Sequence, residues 1–152
     1  MALTDTEAVL RFRLRLDNNG SAGARDLVIE ALALNAGEAQ DGELASFFQR
    51  PDGQEVAIAE LARNGSAQLS HEVRMPRAAI RAYEVQGRRV FVPILAFNVG
   101  YRWGSANGRI SSAFLLGHRQ PGSDKLAPLA LEDGGRRLGT IGVRRLENEL
   151  RR

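Results

Sequence analysis

Histidine, cysteine and carboxylate side chains are the residue types that most often hold a metal ion or transfer a proton in proteins. Cysteine is absent, which excludes disulfides, thiol nucleophiles and thiolate zinc sites. The two histidines, His71 and His118, are distant in sequence, and neither belongs to a cluster at metal-ligand spacing. His71 lies in the apolar phase of a predicted strand and His118 near the end of another, so each is interpreted as a partly buried or turn histidine. We therefore predict neither a metal nor a cofactor.

The chain contains no motif of a catalytic nucleophile or of a phosphate-binding loop. A Gly-x-Ser-x-Gly elbow is absent, and Ser111 and Ser112 lie within a predicted strand. The glycine-rich stretch 134–142 is not followed by a helix, so we interpret it as a flexible loop in which Arg136 and Arg137 could contact an anion. The acidic pairs lie in predicted turns, where solvation accounts for them: Asp41 with Glu43, and Glu132 with Asp133. The prediction is that the protein is not an enzyme.

Aromatic side chains at alternating positions mark the strongest β pattern of the chain. Phe97, Tyr101 and Trp103 share one phase of the stretch 89–103, and such a stripe could bind sugars or bases. Core packing is the better interpretation of Phe97 and Tyr101. Trp103 borders a predicted turn, so Trp103 and its neighbour Arg102 are the first candidates for contact with a ligand or partner.

The net charge of +3 conceals an uneven distribution. Residues 1–86 carry nine basic and 13 acidic side chains, whereas residues 87–152 carry 12 and five. A basic half can attract phosphate groups or anionic lipid. However, 20 of the 21 basic residues are arginines scattered singly or in pairs, which favours a solvated surface over a functional anion site. Nucleic acid is therefore not the favoured partner.

Length and hydropathy bound the organisation of the chain. A chain of 152 residues has the size of one domain with its own core, and we predict a single domain over residues 1–152. The longest apolar stretch, 90–99, is broken by Pro93 and Asn98 and is shorter than the roughly 20 residues of a membrane helix. The first residues lack the basic start and apolar run of a signal peptide. We therefore expect a cytoplasmic protein or a fragment of a longer one, and a periplasmic location is also compatible with the sequence.

Hydrophobic periodicity predicts a mostly β chain. Period-two alternation and turn residues indicate the strands 9–16, 25–34, 55–61, 68–75, 89–103 and 109–118. The second of these is apolar on both faces, as in a central strand. An Asn64-Gly65 turn joins the third strand to the fourth, so these two are expected to form a hairpin. Pro93 is expected to bend the fifth strand or remove one of its ladder bonds.

Two short helices and a weak tail complete the predicted elements. Residues 41–51 combine a capping aspartate, apolar residues at helical spacing and a terminal proline, and residues 76–83 place a proline at a helix start. Each is expected to form one or two turns that cross between sheets. Beyond Pro121 the pattern weakens to two short edge strands and a fraying end: 126–131, 138–146 and 147–152.

Many short strands, and the absence of a helix long enough to connect parallel strands, predict an all-β, two-sheet antiparallel sandwich. A partly open barrel is the alternative. Residues 16–29 resemble the start of many bacterial immunoglobulin-like domains, in which a strand ends in Asn-x-Gly and a small residue precedes the next strand. Residues 61–69 and 97–101 resemble later parts of such domains. With the two helices, we expect an immunoglobulin/fibronectin-like sandwich with two short helical crossovers.

The whole chain also resembles the soluble C-terminal domain of uncharacterised alphaproteobacterial membrane-anchored proteins. The stretches that carry this resemblance are 41–48, 89–96, 101–103 and 125–128. The resemblance implies a position on the cytoplasmic face of the inner membrane, with membrane contact only through an anchor in a longer parent protein. Neither resemblance implies an activity.

The favoured function is a non-catalytic protein-interaction or scaffolding module with an unidentified protein partner. The alternative is a ligand-binding module for nucleic acid, anionic lipid or glycan that uses the basic second half. Under either hypothesis, the candidate contact residues are Trp103, Arg102, Arg136 and Arg137. No oligomeric state follows from the sequence.

Overall fold

Two large antiparallel sheets form the fold in the computed structural model, which describes residues 1–49, 54–120, 122, 125–131, 136–137, 141–146 and 150–151. The first sheet consists of β1 (Ala2–Leu3), β2 (Glu7–Asp17), β5 (Ser66–Pro76) and β12 (Arg136–Arg137). Its strands lie side by side in the order β12, β1, β2, β5. The long pair β2 and β5 confirms two of the predicted strands.

The second sheet is larger. It consists of β3 (Ala24–Asn35), β4 (Gln54–Leu61), β8 (Pro93–Trp103), β9 (Ala106–Arg119), β10 (Leu126–Ala127), β13 (Ile141–Arg145) and β14 (Leu150–Arg151). Its main order is β10, β9, β8, β3, β4, with β13 and β14 also paired to β9. The predicted central strand, β3, indeed has a neighbour on both sides.

A small third sheet and one α-helix complete the described elements. β6 (Tyr83–Val85), β7 (Arg88–Phe91) and β11 (Leu129–Ala130) form the small sheet, and α1 spans Gln40–Gln49. Gln86 and Gly87 both have positive φ in the two-residue turn between β6 and β7, as a tight hairpin turn of this length requires. Within the described residues, no helix is long and apolar enough to cross a membrane.

The main core lies between the two large sheets. Leu10 and Val73 contribute to it from the first sheet, and Ile29 and Phe97 contribute from the second. The arginines that alternate with the apolar residues of β2 lie on the exposed face of the first sheet. This arrangement confirms the period-two pattern, because each residue's phase decides whether it meets the other sheet or water.

A second, smaller core lies on the outer face of the second sheet. There the apolar side of α1, which includes Leu44 and Phe47, packs against Ile94, Ala96 and Ala113. β8 is therefore covered on both faces along its first half. This double burial explains why both phases of this strand are apolar.

The expectation of two short helical crossovers between sheets is not confirmed, because the described residues contain one α-helix and one 3-10 turn. α1 does form, but it joins β3 to β4, which are neighbours in the same sheet. The second predicted helix is a single 3-10 turn, Arg77–Ala79. Asn35 holds the chain after this turn, because its side chain donates to Ala79 O (2.9 Å) and accepts from the Arg81 N–H (2.8 Å). The chain then continues directly into β6.

The predicted hairpin of residues 55–61 and 68–75 is also wrong. The two strands form as β4 and β5, but β4 pairs with β3 and β5 pairs with β2. The Asn64-Gly65 turn therefore carries the chain from one large sheet to the other. The next hairpin, β8 with β9, is confirmed, with Trp103 opposite Ala106 across a turn of Gly104 and Ser105.

The long strand expected over residues 89–103 is divided at Val92. Its first part is β7 of the small sheet, and its second part is β8. Pro93 is the first residue of β8. Proline has no N–H to donate to the ladder, and the first position of a strand is one of the few places in a sheet where it is found.

The weak tail is only partly described. β10, β11 and β13 fall within the two predicted edge-strand stretches, whereas residues 138–140 of the second lie outside the described residues. Leu150 and Arg151 pair with β9, so this part of the chain end does not fray. The remaining expectations, for residues 132–135 and 147–149, fall outside the described residues.

Candidate functional site

A cleft of about 730 Å³ opens at one end of the sandwich, and we call it the Trp103 cleft. The β8–β9 hairpin forms one wall, and the turn between β2 and β3 forms the opposite rim. Its size lies within the range of about 300–1,000 Å³ that is typical of binding sites. Its lining includes Leu16, Asp17, Asn18, Leu27, Leu61, Val99, Tyr101, Trp103, Arg109 and Ile110.

The wall of the cleft carries large apolar side chains that are open to solvent. Trp103 is 47% exposed and Ile110 is 39% exposed. Tyr101 is half-buried beside them, and its ring lies across Gly108, where an added Cβ would be 2.3 Å from the ring. Gly108 therefore allows Tyr101 to lie flat against the hairpin. Phe97, in the same phase, is buried in the core as predicted.

The floor of the cleft belongs to the main core. Leu27, Leu61 and Val99 line the cleft and are each buried. Because these side chains are packed between the two sheets, the floor is apolar and is held by strands from the second sheet. Such a floor can receive an apolar group without rearrangement of the fold.

The rim is braced by a contact between two turns of identical sequence. Asn-Gly-Ser-Ala occurs at residues 19–22 and again at 64–67, and each copy lies where the chain changes sheet. The Asn18 N–H donates to Gly65 O (3.0 Å), and the Asn64 N–H donates to Asn18 O (2.9 Å). The Asn18 side chain also donates to Ala22 O (2.9 Å) and Leu61 O (3.0 Å). One residue thus ties the two turns together.

Asp17 and Arg109, the charged residues in the described lining of the cleft, already have partners. Asp17 accepts hydrogen bonds from the Ser66 hydroxyl (2.8 Å) and from the Arg15 guanidinium (3.0 Å). Arg109 donates to Phe48 O (2.9 Å) in the last turn of α1, where a cation satisfies a terminal carbonyl. The cleft therefore presents an apolar surface with a polar rim, and its charges are engaged within the fold.

The interactions of Asp17 predict how stability depends on pH. The Ser66 hydroxyl and then the Arg15 guanidinium hold the pKa of the Asp17 carboxyl below its ordinary value. A lowered native pKa means that the unfolded chain binds the proton first as the pH falls. The stability contributed by Asp17 is therefore present above the ordinary Asp pKa of about 4 and is lost below it.

We expect Asp17→Asn to lose less stability than the parent protein between about pH 5 and pH 3. Urea denaturation across this range measures the difference. Asp5→Asn is the matched control, because Asp5 is exposed and forms no ion pair within the described residues. Parallel pH profiles for the parent protein and Asp17→Asn would contradict the prediction.

The structure separates the predicted contact residues. Trp103 lines the cleft, whereas Arg102 alternates with it along β8 and lies 3.8 Å from Asp26 in an ion pair on the other face. Arg136 and Arg137 form β12, which pairs with β1 beside the start of β2. The cleft lies at the opposite end of β2, roughly 26 Å away along the strand. These four residues therefore do not form one site.

The sequence interpretation missed several residues of the cleft. Ile110 lies opposite Val99 and shares the Trp103 side of the hairpin, so alternation continued into β9 could have identified it. Leu16 is the last residue but one of β2, and Leu61 is the last residue of β4, so each lies beside a turn. Asn18 gave no distinguishing signal, because its role depends on a second turn that is distant in sequence.

The sites considered for metal or acid chemistry remain dispersed. His71 is half-buried, as expected, and makes an edge contact with Phe12 (6.3 Å between ring centroids). No group of three or more potential ligands that could hold a metal occurs among the described residues. Ser111 is buried in β9 and donates to Asn98 Oδ1 (2.8 Å). The second acidic pair, 132–133, lies outside the described residues.

Comparisons of the chain with protein families, with curated proteins and with solved structures find no match.

Proposed function

We propose that this chain is a non-catalytic protein-interaction module that binds its partner through the Trp103 cleft. The observation that supports the proposal is the half-exposed Trp103 above a floor of buried aliphatic residues. In protein interfaces, the residues that contribute most to affinity are enriched in tryptophan and tyrosine and are surrounded by a polar rim. The cleft has this composition.

The proposed partner inserts an uncharged apolar side chain between Trp103 and the floor. Leu27, Leu61 and Val99 would surround the inserted group, and Ile110 would cover its side. Because the floor and the hairpin belong to packed strands, little conformational entropy would be lost on binding. This rigidity is typical of a binding site that is formed before the partner arrives, and not of a segment that folds on binding.

An immunoglobulin-like architecture is part of the same proposal. In its support, the chain changes sheet at two consecutive corners, between β2 and β3 and between β4 and β5. Greek-key sandwiches contain such connections. The proposed position on the cytoplasmic side of a membrane, through an anchor in a longer parent, rests on the sequence resemblance alone.

A neutral glycan is the second candidate for the cleft. The face of an indole or phenol ring attracts polarised C–H groups, and Trp103 and Tyr101 lie beside an asparagine-rich rim. Nucleic acid and anionic lipid are less well supported, because the guanidinium of Arg109 in the lining already donates to Phe48 O. The aliphatic floor favours a protein side chain over a sugar.

We expect Trp103→Ala to abolish specific partner capture while leaving the fold intact. The immobilised protein would be exposed to cell extract, and retained proteins would be quantified for the parent protein and for each variant. Truncation of a central interface tryptophan typically weakens binding by about 2 kcal/mol or more, roughly 30-fold. Tyr83→Ala is the matched control, because Tyr83 is 45% exposed but lies on the small sheet away from the cleft.

The same variants distinguish the candidate ligands. Trp103 is the only tryptophan, so its fluorescence reports binding at the cleft directly. Titration with neutral oligosaccharides tests the glycan hypothesis, and titration with polyphosphate at low and high salt tests anion binding. A protein captured equally by the parent protein and Trp103→Ala would overturn the proposed role of the cleft.

A further inference from the structure

One edge of the first sheet is long, regular and unpaired. β5 pairs with β2 from Ser66 to Pro76 in continuous antiparallel register, without a bulge. On its other side, β5 has no strand neighbour among the described residues. A strand of this kind presents a row of unpaired backbone N–H and C=O groups to solvent.

The usual features that block pairing at sheet edges are sparse on β5. Natural edge strands are shortened, bulged, interrupted by proline or made repulsive by charge. β5 has 11 residues, contains no lysine, and carries its only proline, Pro76, at the last position. This edge is therefore competent to receive another strand.

The exposed face of β5 carries one charge of each sign in the second half of the strand. Glu72 and Arg74 lie two residues apart, so both side chains point to the outer face of the sheet. If a second β5 paired with the first in antiparallel register around Val73, Glu72 of each copy would lie opposite Arg74 of the other. Opposite charges at directly facing positions stabilise such a pair.

The other free edge on this side of the sandwich lacks this complementarity. Among the described strands, β4 also ends its sheet, and its charged residues are Glu55 and Glu60, both exposed. Two copies of β4 could bring together only like charges, which are destabilising at facing positions. Self-pairing is therefore favoured at β5 and disfavoured at β4.

We propose that a second copy of this chain pairs with β5, forming a two-fold symmetric dimer in which the first sheets of both copies become continuous. The register around Val73 places His71 opposite Met75 of the other copy. His71 is only half-buried in the single chain, so the second strand would add cover to its inner face. Such an interface uses the same surface of both copies, as two-fold dimers do.

The proposed dimer interface is separate from the Trp103 cleft. Val73 pairs with Leu10, in the first half of β2, whereas the cleft begins at Leu16 near its end. Both surfaces can therefore be occupied at once. A dimer would display two clefts, and a bivalent partner would bind it more tightly than a single chain.

A charge exchange tests the proposal. In Glu72→Arg, each copy has two arginines at the facing positions, and in Arg74→Glu each copy has two glutamates. We expect each variant alone to raise the dimer dissociation constant by about tenfold, measured by sedimentation equilibrium at low salt. An equimolar mixture restores both opposite-charge contacts, so its dissociation constant should return to within about threefold of the parent value.

Recovery in the mixture separates loss of the interface from loss of the fold. The exchange also alters contacts within the chain, since Arg74 contacts Glu7 and Glu72, but a misfolded variant would not recover when mixed. Glu72→Gln provides a milder variant, expected to weaken the dimer about threefold. Glu60→Arg on β4 is the control and should leave the dissociation constant unchanged.

Three results would overturn the proposal: a parent protein that remains monomeric up to about millimolar concentration, dimers that persist unchanged in both charge variants, or a mixture that does not recover. A monomer that still captures its partner through Trp103 would exclude the dimer and leave the proposed function intact.

Discussion

Phe91→Ala is expected to lower the free energy of unfolding by about 3–5 kcal/mol. Of the side chains whose burial the structure describes, Phe91 is the largest that is completely buried. It lies at the end of β7, pairs with Leu129 of β11, and packs in the main core between the large sheets. Truncation would remove its transfer free energy and leave a cavity where the small sheet meets the core.

Urea denaturation at a constant protein concentration measures this loss as a lower midpoint with an unchanged slope. Val85→Ala, on the same small sheet, is the control. Val85 is exposed, so its truncation should change the free energy of unfolding by less than about 0.5 kcal/mol. A loss below about 1.5 kcal/mol for Phe91→Ala would mean that the small sheet is not an integral part of the core.

The second large effect is expected at the turn contact on the cleft rim. Asn18→Asp preserves the size of the side chain and its acceptor for the Gly20 N–H. It removes the two hydrogen bonds donated to Ala22 O and Leu61 O and places a carboxylate beside those carbonyl oxygens. We expect the free energy of unfolding at neutral pH to fall by about 2–3 kcal/mol.

The neighbouring residue supplies a matched control for this change. Asn19 is exposed, and its side chain forms no hydrogen bond within the described residues. Asn19→Asp adds the same charge to the same turn, so its expected effect is below about 0.5 kcal/mol. Equal losses for the two variants would show that the charge of the turn, and not the link between the two corners, determines the effect.

The hydrogen bonds of Asn18 between the two turns also connect stability to the proposed function. Asn18 fixes the rim, and Leu61, whose carbonyl it binds, lies in the floor. Asn18→Asp should therefore weaken partner binding as well as the fold, whereas Phe91→Ala acts away from the cleft. A folded Asn18→Asp protein with parent affinity would show that the rim does not contribute to recognition.

Much of the strand pattern could be predicted because burial imposes a period on the sequence. In β2, alternating apolar residues and arginines correspond to a core face and a solvent face. In β8, two apolar phases correspond to two packed faces, one against the first sheet and one against α1. These relations are local, since each residue's environment follows from its side of the strand.

The pairing of strands could not be predicted with the same certainty. The Asn64-Gly65 turn has the residues of a tight hairpin, and Asn64 does adopt positive φ. A turn sequence constrains only its own backbone. The next strand can return beside the last one or join the opposite sheet, and the choice depends on which partner strands are available. For β5 the partner is β2, which lies far away along the chain.

The same contrast between local sequence pattern and tertiary structure applies to the cleft. The position of Trp103 beside a predicted turn made it the first candidate for contact, and the absence of cysteine excluded thiol chemistry. Only the tertiary structure separated Arg102, Arg136 and Arg137 from Trp103, and only it brought Asn18, Leu61 and Ile110 around the same space. The physical reason is that periodicity records whether a side chain is buried, whereas a site requires residues from several strands to meet, and that meeting is determined by sheet order and register.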